Sequence, residues 1–175
     1  LKVRPQVGAR PASILMSLEG TVNPLRQFPS YALIRSLPLD EQRRALRDPA
    51  FRARILADTA KKPRDLTTEQ MITSWDKMFI LPADLSYEPN FEESVAGIAA
   101  KRGVTVREAL MDIMADGRPL LYLIGDYSGS LSMQHDSIAN PHSVFGLADG
   151  GAHCGVLCDA GMPTYMMAYM SRDRT

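Results

Sequence analysis

Pro119-Leu120-Leu121-Tyr122-Leu123-Ile124-Gly125 is the stretch on which the reading of the fold turns. Leu120 to Ile124 is apolar without interruption, and a run of this length closed by Pro and Gly predicts a strand buried on both faces. A strand of that kind suits a parallel sheet covered by helices. Immediately upstream, Thr105 and Glu108 form a T-x-x-E capping box, and Val106, Ala109, Leu110, Ile113 and Met114 fall at i, i+3, i+4, i+7 and i+8, which predicts a helix ended by Gly117. Before it, Pro89 permits a helix starting around Phe91 to Ser94. Val95, Ile98 and Ala99 supply its apolar stripe, and Gly103 is suited to a left-handed stop. Downstream, a polar helix is expected over 131–139, then Asn140-Pro141-His142 and a second short strand, Ser143-Val144-Phe145-Gly146-Leu147.

Further out the same alternation continues. Ala12 to Leu18 reads as a buried strand closed by Glu19-Gly20, and residues 19–30, with Gly20, Pro24 and Pro29, read as a loop. Helices are expected near 39–47 and 49–59, the second with Asp48 as N-cap and Pro49 at the first helical position, where its missing N–H is no loss. Trp75 to Leu81 suits a strand, although a helix from Thr68 running into it fits the periodicity equally well. A last helix is expected over 163–171. Helices alternating with short apolar strands argue for an α/β fold with parallel pairing.

Composition narrows the function classes. The 175 residues suit one domain, and 45% hydrophobic with 23% charged residues is ordinary globular composition, which excludes disordered and collagen-like chains. Twenty Lys and Arg balance twenty Asp and Glu, so no net field draws the molecule to nucleic acid or to an anionic membrane. Arg43, Arg44, Arg47, Arg52, Arg54, Lys61, Lys62 and Arg64 cluster, but Asp40, Glu41, Asp48, Asp58 and Asp65 are interleaved and no aromatics are spaced for base stacking, so a solvated helix face is expected. No apolar run approaches the roughly 20 residues a membrane helix needs. Leu1-Lys2-Val3-Arg4 lacks the apolar core of a signal peptide, and Cys154 and Cys158 alone cannot staple the chain, which points to a reducing, cytoplasmic setting.

In parallel α/β folds a ligand site lies beyond the carboxyl ends of the strands, which directs attention to residues 19–30, 125–130 and 148–159. The last loop is the richest. Asp149 follows a strand directly, and Gly150 and Gly151 let the backbone turn sharply and a ligand approach closely. His153, Cys154, Cys158 and Asp159 lie within ten residues of it. Carboxylate, imidazole and thiols so grouped are suited to binding zinc, or to placing a general base beside a metal held by other residues. The plainer readings stand beside these: Asp149 as a turn residue accepting backbone N–H groups, and Cys154 and Cys158, spaced C-x3-C, as inert thiols. His135 and His142 read as surface histidines, Glu19 as a strand-end cap, and the ten methionines as adaptable core filler. No Walker loop, G-x-G-x-x-G, H-E-x-x-H or G-x-S-x-G occurs.

Val144-Phe-Gly-Leu-Ala-Asp149-Gly-Gly-Ala-His153, continuing through Cys158-Asp159-Ala160 and Pro163-Thr164-Tyr165 to Arg172-Asp173-Arg174, resembles the C-terminal barrel segment of the N-acyl-D-amino-acid deacylase (D-aminoacylase) group of the amidohydrolase superfamily. Gln6 through Leu18-Glu19-Gly20, Trp75 to Phe79, Tyr87-Glu88-Pro89 and the helix pair from Ser94 to Met114 resemble corresponding stretches of that group, so the likeness covers most of the chain. It implies a zinc-dependent hydrolase on a (β/α)8 TIM barrel that cleaves the amide bond of an N-acyl-D-amino acid. Asp149 matches the aspartate that touches the metal centre, takes a proton from the attacking water and passes it to the leaving amine. Gly150, Gly151 and His153 belong to the same motif and would shape the site.

The sequence departs from that group where the metal ligands should be. It has no His-x-His, and its three histidines all fall late in the chain. A whole barrel takes about 250 residues, so residues 1–175 are expected to be a partial barrel domain, about its last three strands, cut at both ends. Zinc would be bound mainly by residues outside this chain, and the expected partners are a small N-acyl amino acid and the missing remainder of the barrel. The isolated piece would be inactive. The competing expectation is a catalytically dead barrel piece kept as a binding or interaction module. It would fold alone and melt cooperatively, whereas a cut barrel would expose two strand edges.

Overall fold

The structure is a computed structural model, and it describes residues 3–63, 65–81, 86–124, 129–146, 156 and 159–173. Two short strands come first, β1 (Gln6–Val7) and β2 (Ser13–Met16). Asn23 then opens a pair of 3-10 turns, Pro24–Gln27 and Pro29–Leu33, by accepting the Leu25 N–H at 2.9 Å. Its amide donates to the Tyr31 hydroxyl, which donates in turn to Gln42 Oε1 at 3.0 Å. This chain of satisfied polar groups lets Asn23, Tyr31 and Gln42 all be buried. Helices α1 (Leu39–Arg47) and α2 (Pro49–Ala57) follow, the second capped by Asp48, whose carboxylate accepts the Phe51 N–H at 2.8 Å. Helix α3 (Leu66–Thr73) is capped by Asp65 in the same way. A single 3-10 turn, Trp75–Lys77, leads from it into β3 (Met78–Ile80), so the stretch that fitted both helix and strand contains each in sequence.

Helix α4 (Val95–Arg102) starts on the Ser94 hydroxyl and ends at Gly103, whose φ of 66° is the left-handed geometry anticipated there. Helix α5 (Val106–Ala115) has the Thr105–Glu108 capping box in both directions. Strand β4 (Leu120–Leu123), α6 (Ser132–Ala139) and β5 (Val144–Phe145) follow. Helix α7 (Met162–Tyr165) runs on as a π-helical stretch, Met166–Asp173.

The strands do not assemble as a slice of a parallel barrel, and the expected partial (β/α)8 architecture is overturned. Three strands form an antiparallel sheet in the order β2-β4-β3, in which Ile14 faces Tyr122 and Phe79 faces Leu121. Parallel pairing is confined to a separate two-stranded sheet, β1-β5, with Gln6 opposite Val144 and Val7 opposite Phe145. The physical reason lies in what an apolar run encodes. Leu120 to Leu123 demands cover on both faces, and a central strand flanked by two antiparallel neighbours meets that demand as well as a parallel one does.

Alternation on the sheet decides where each residue goes. Ile14, Met16, Met78, Leu120 and Tyr122 face the main core, where they meet Leu46, Ile55, Val95 and the inner face of α5. That helix is the hub, buried through Ala109, Leu110, Met111, Ile113, Met114 and Ala115 and packed on α1, α2 and α4. Arg107 secures its first turn by donating to the carbonyls of Leu56 and Asp58 at the end of α2, at 3.0 and 2.8 Å. The cationic cluster is laced to carboxylates: Arg52 pairs with Asp112 at 2.8 Å and Arg47 with Asp116 at 3.2 Å. A smaller core joins Ala9, Leu131, Met162 and Tyr165. Among the described residues no helix is long and apolar enough to cross a membrane.

Candidate functional site at the end of β5

Asp149, Gly150, Gly151 and His153 lie outside the described residues, as do Cys154 and Cys158. The backbone on either side of them is described. Strand β5 enters the motif from a parallel pair with β1, held by the Val144 N–H on the Pro5 carbonyl at 2.9 Å and the Gly146 N–H on the Val7 carbonyl at 3.0 Å. Beyond the motif, the Val156 carbonyl accepts the Leu15 N–H at 2.7 Å, which ties the chain to the outer edge of β2.

Gly146 has a reason to be glycine that sequence reading missed. The Gln6 side chain lies over its Cα, so that a Cβ there would run into the Gln6 amide. Both residues belong to stretches that carried the family resemblance. Nothing in local periodicity links them, because the contact joins positions far apart in the chain.

Around this strand end the structure gathers aromatic and charged side chains from four segments. The rings of Tyr87, Tyr165 and Tyr169 meet at centroid distances of 4.5 to 5.3 Å. Glu88 accepts the Leu131 N–H at 2.7 Å and the Tyr169 hydroxyl at 3.1 Å, fixing α6 and the C-terminal helix to the segment before α4. The Arg10 guanidinium lies 5.9 Å from the Tyr165 ring centre. Burial, and then the neighbouring Tyr169, Glu88 and Tyr87, push the Tyr165 phenol well above its ordinary value, so it stays protonated. The i, i+4 spacing of Tyr165 and Tyr169 was the one available signal of this cluster.

The remaining candidates stay apart. His135 and His142 are exposed, the first 3.5 Å from Asp136 and the second in a turn closed by Asn140 Oδ1. Glu19 is exposed in a bend three residues beyond the end of β2 rather than at the strand end expected for it. No three His, Cys, Asp or Glu side chains among the described residues converge in a way that fits a metal ion. The described residues thus do not fit a zinc centre. No protein-family model, curated protein or solved structure matches the chain.

Proposed function

We propose that the chain is the Asp149-bearing part of a hydrolase that cleaves the carbon–nitrogen amide bond of N-acyl-D-amino acids, similar to the D-aminoacylase group of amidohydrolases. The observation that carries this reading is the parallel β1–β5 pair. Its second strand precedes Asp149 in the sequence, and a carboxylate soon after the carboxyl end of a parallel strand is where α/β folds put their chemistry. In this reading Asp149 takes the proton of the water that attacks the amide carbonyl and delivers it to the departing nitrogen as the carbon–nitrogen bond breaks. Gly150 and Gly151 give the substrate room beside it, and His153 shapes the site. The zinc centre belongs to residues outside this chain, in keeping with the poor fit of those described. Two cysteines, too few to staple a chain of this size, support a cytoplasmic setting.

A second reading, a binding or interaction module without catalysis, is favoured by the sheet edges. The outer edge of β2 is met by Val156 and that of β3 by a bridge from Phe79 to Ser94, so each outer strand of the antiparallel sheet has a backbone contact within the chain.

Hydrolysis of N-acetyl-D-amino acids by the polypeptide encoded by the whole gene, supplied with zinc, separates the two. The hydrolase reading expects turnover that falls at least about 100-fold in Asp149→Asn, the lower end of what a positioned acid–base group contributes. Turnover unaffected by Asp149→Asn would overturn the role given to Asp149, and no turnover with any N-acyl amino acid would overturn the hydrolase reading in favour of the binding module.

A further inference from the structure

The carboxylates that engage Arg47 and Arg52 do not reach the whole of the cationic cluster. Lys61 and Lys62 lie instead beside Arg26, a cation from a distant segment, on a cleft of about 380 Å³. All three side chains belong to exposed residues, and among the described residues none of them forms an ion pair. Their backbone setting is fixed. The Lys61 N–H donates to the Gln27 carbonyl at 2.8 Å, and the buried Gln27 amide donates to the Ile72 carbonyl at 3.1 Å, which ties the Pro24–Gln27 turn, residues 61–63 and α3 together. Like charges gathered on one cleft repel, and an anion seated among them relieves the repulsion.

Charge and wall chemistry narrow the anion. Among the described residues no acidic side chain lines the cleft. Asp65 reaches its rim at Thr68, where its carboxylate is taken up by the Thr68 N–H at 2.8 Å and the Thr68 hydroxyl at 2.9 Å. Three cations less that one carboxylate leave two positive charges, which suits the near-dianion of a phosphate monoester better than the single charge of a carboxylate. A guanidinium can grip two phosphate oxygens at once, and ammonium groups add point charges. The walls are apolar at Val22, Met71 and Ile72, a surface that a bare inorganic anion would leave unused. The volume falls within the roughly 300–1,000 Å³ of small-molecule sites. No aromatic side chain is among the described lining residues, so the stacking platform of a nucleic-acid groove is missing from them.

We propose that this cleft binds a small phosphate monoester with an apolar body, the phosphate among Arg26, Lys61 and Lys62 and the body against Val22, Met71 and Ile72. The site is independent of the proposed hydrolysis, since its test reads binding alone and its failure leaves the Asp149 assay untouched.

Titrations of the 175-residue chain at low ionic strength with phenyl phosphate, inorganic phosphate, benzoate and phenol, followed by amide chemical shifts in NMR, test it. Phenyl phosphate is expected to bind at about millimolar concentration or tighter and to shift the amides of Gln27, Lys61, Lys62 and Ile72. Inorganic phosphate, without the body, and benzoate, without the second charge, should bind about threefold more weakly, and phenol about tenfold. Arg26→Gln, Lys61→Gln and Lys62→Gln should each weaken phenyl phosphate binding about threefold with the melting temperature unchanged, and Lys62→Arg should retain it. Lys101→Gln, an exposed cation outside the cleft, should leave binding as it is. No binding of phenyl phosphate, binding no tighter than that of benzoate or phenol, undiminished binding in the three Gln variants, or an equal loss in Lys101→Gln would each overturn the proposal. A single-stranded oligonucleotide bound far more tightly than phenyl phosphate would overturn it in favour of nucleic acid.

Discussion

Gly146 and Gln6 show how much of this molecule depends on contacts invisible along the chain. Adding a methyl at Gly146 drives the Gln6 side chain off the strand end, and because that side chain is exposed and flexible the cost should be modest, about 1 kcal/mol. A double-mutant cycle checks this: Gly146→Ala should cost appreciably less in a Gln6→Ala background, and equal costs would show that the two do not interact. Residues whose role is local were legible in advance. Asp48, Thr105 and Gly103 do at their helix ends what their chemistry requires within four positions of sequence. Gly146 and Glu88 were not, since each acquires its role from a partner dozens of residues away. Asp149 was legible only as a carboxylate before two glycines; its flanks, at Gly146 and Val156, are what the structure adds.

Elements were legible in kind and misjudged in arrangement. Helices α1, α2, α4 and α5 lie where caps and apolar stripes put them, because helix formation is a local question answered by residues three and four apart. Strand direction is not local: β4 announces burial on both faces and says nothing of which way its neighbours run. Two predictions belong at this scale. In α4 a Cβ at position 97 would strike the Phe91 carbonyl and the Glu92 backbone, which cannot swing aside, so Gly97→Ala should destabilise by about 2 kcal/mol in a denaturant titration. In the α5 capping box, the backbone N–H and hydroxyl of Thr105 hold the Glu108 carboxyl below its ordinary 4.5. A lowered folded value means that this contribution is complete above 4.5 and is lost as pH falls through the folded value. Melting temperature followed downward from neutral pH should therefore drop less steeply in Glu108→Gln than in the unaltered chain, and parallel curves would rule the carboxylate out as a contributor.

At the scale of the whole molecule, the large core closes on α5 and one face of the antiparallel sheet, and the sheet's outer strands meet Val156 and Ser94. A slice of parallel barrel would have left its strands without such cover, which is why the departure from the expected architecture bears on function: the described residues carry a core of their own. That claim rests on the pairing of β2 with β4. The Leu15 N–H is spent on Val156 rather than on β4, so Leu15 and Leu121 form a pair without mutual hydrogen bonds, the kind whose Cα atoms approach to about 4.5 Å. A nuclear Overhauser contact between the Hα atoms of Leu15 and Leu121 in the folded 175-residue chain is the direct measurement. The antiparallel sheet predicts a strong cross-peak; its absence, with β2 and β4 showing only the pattern of parallel neighbours, would contradict the account.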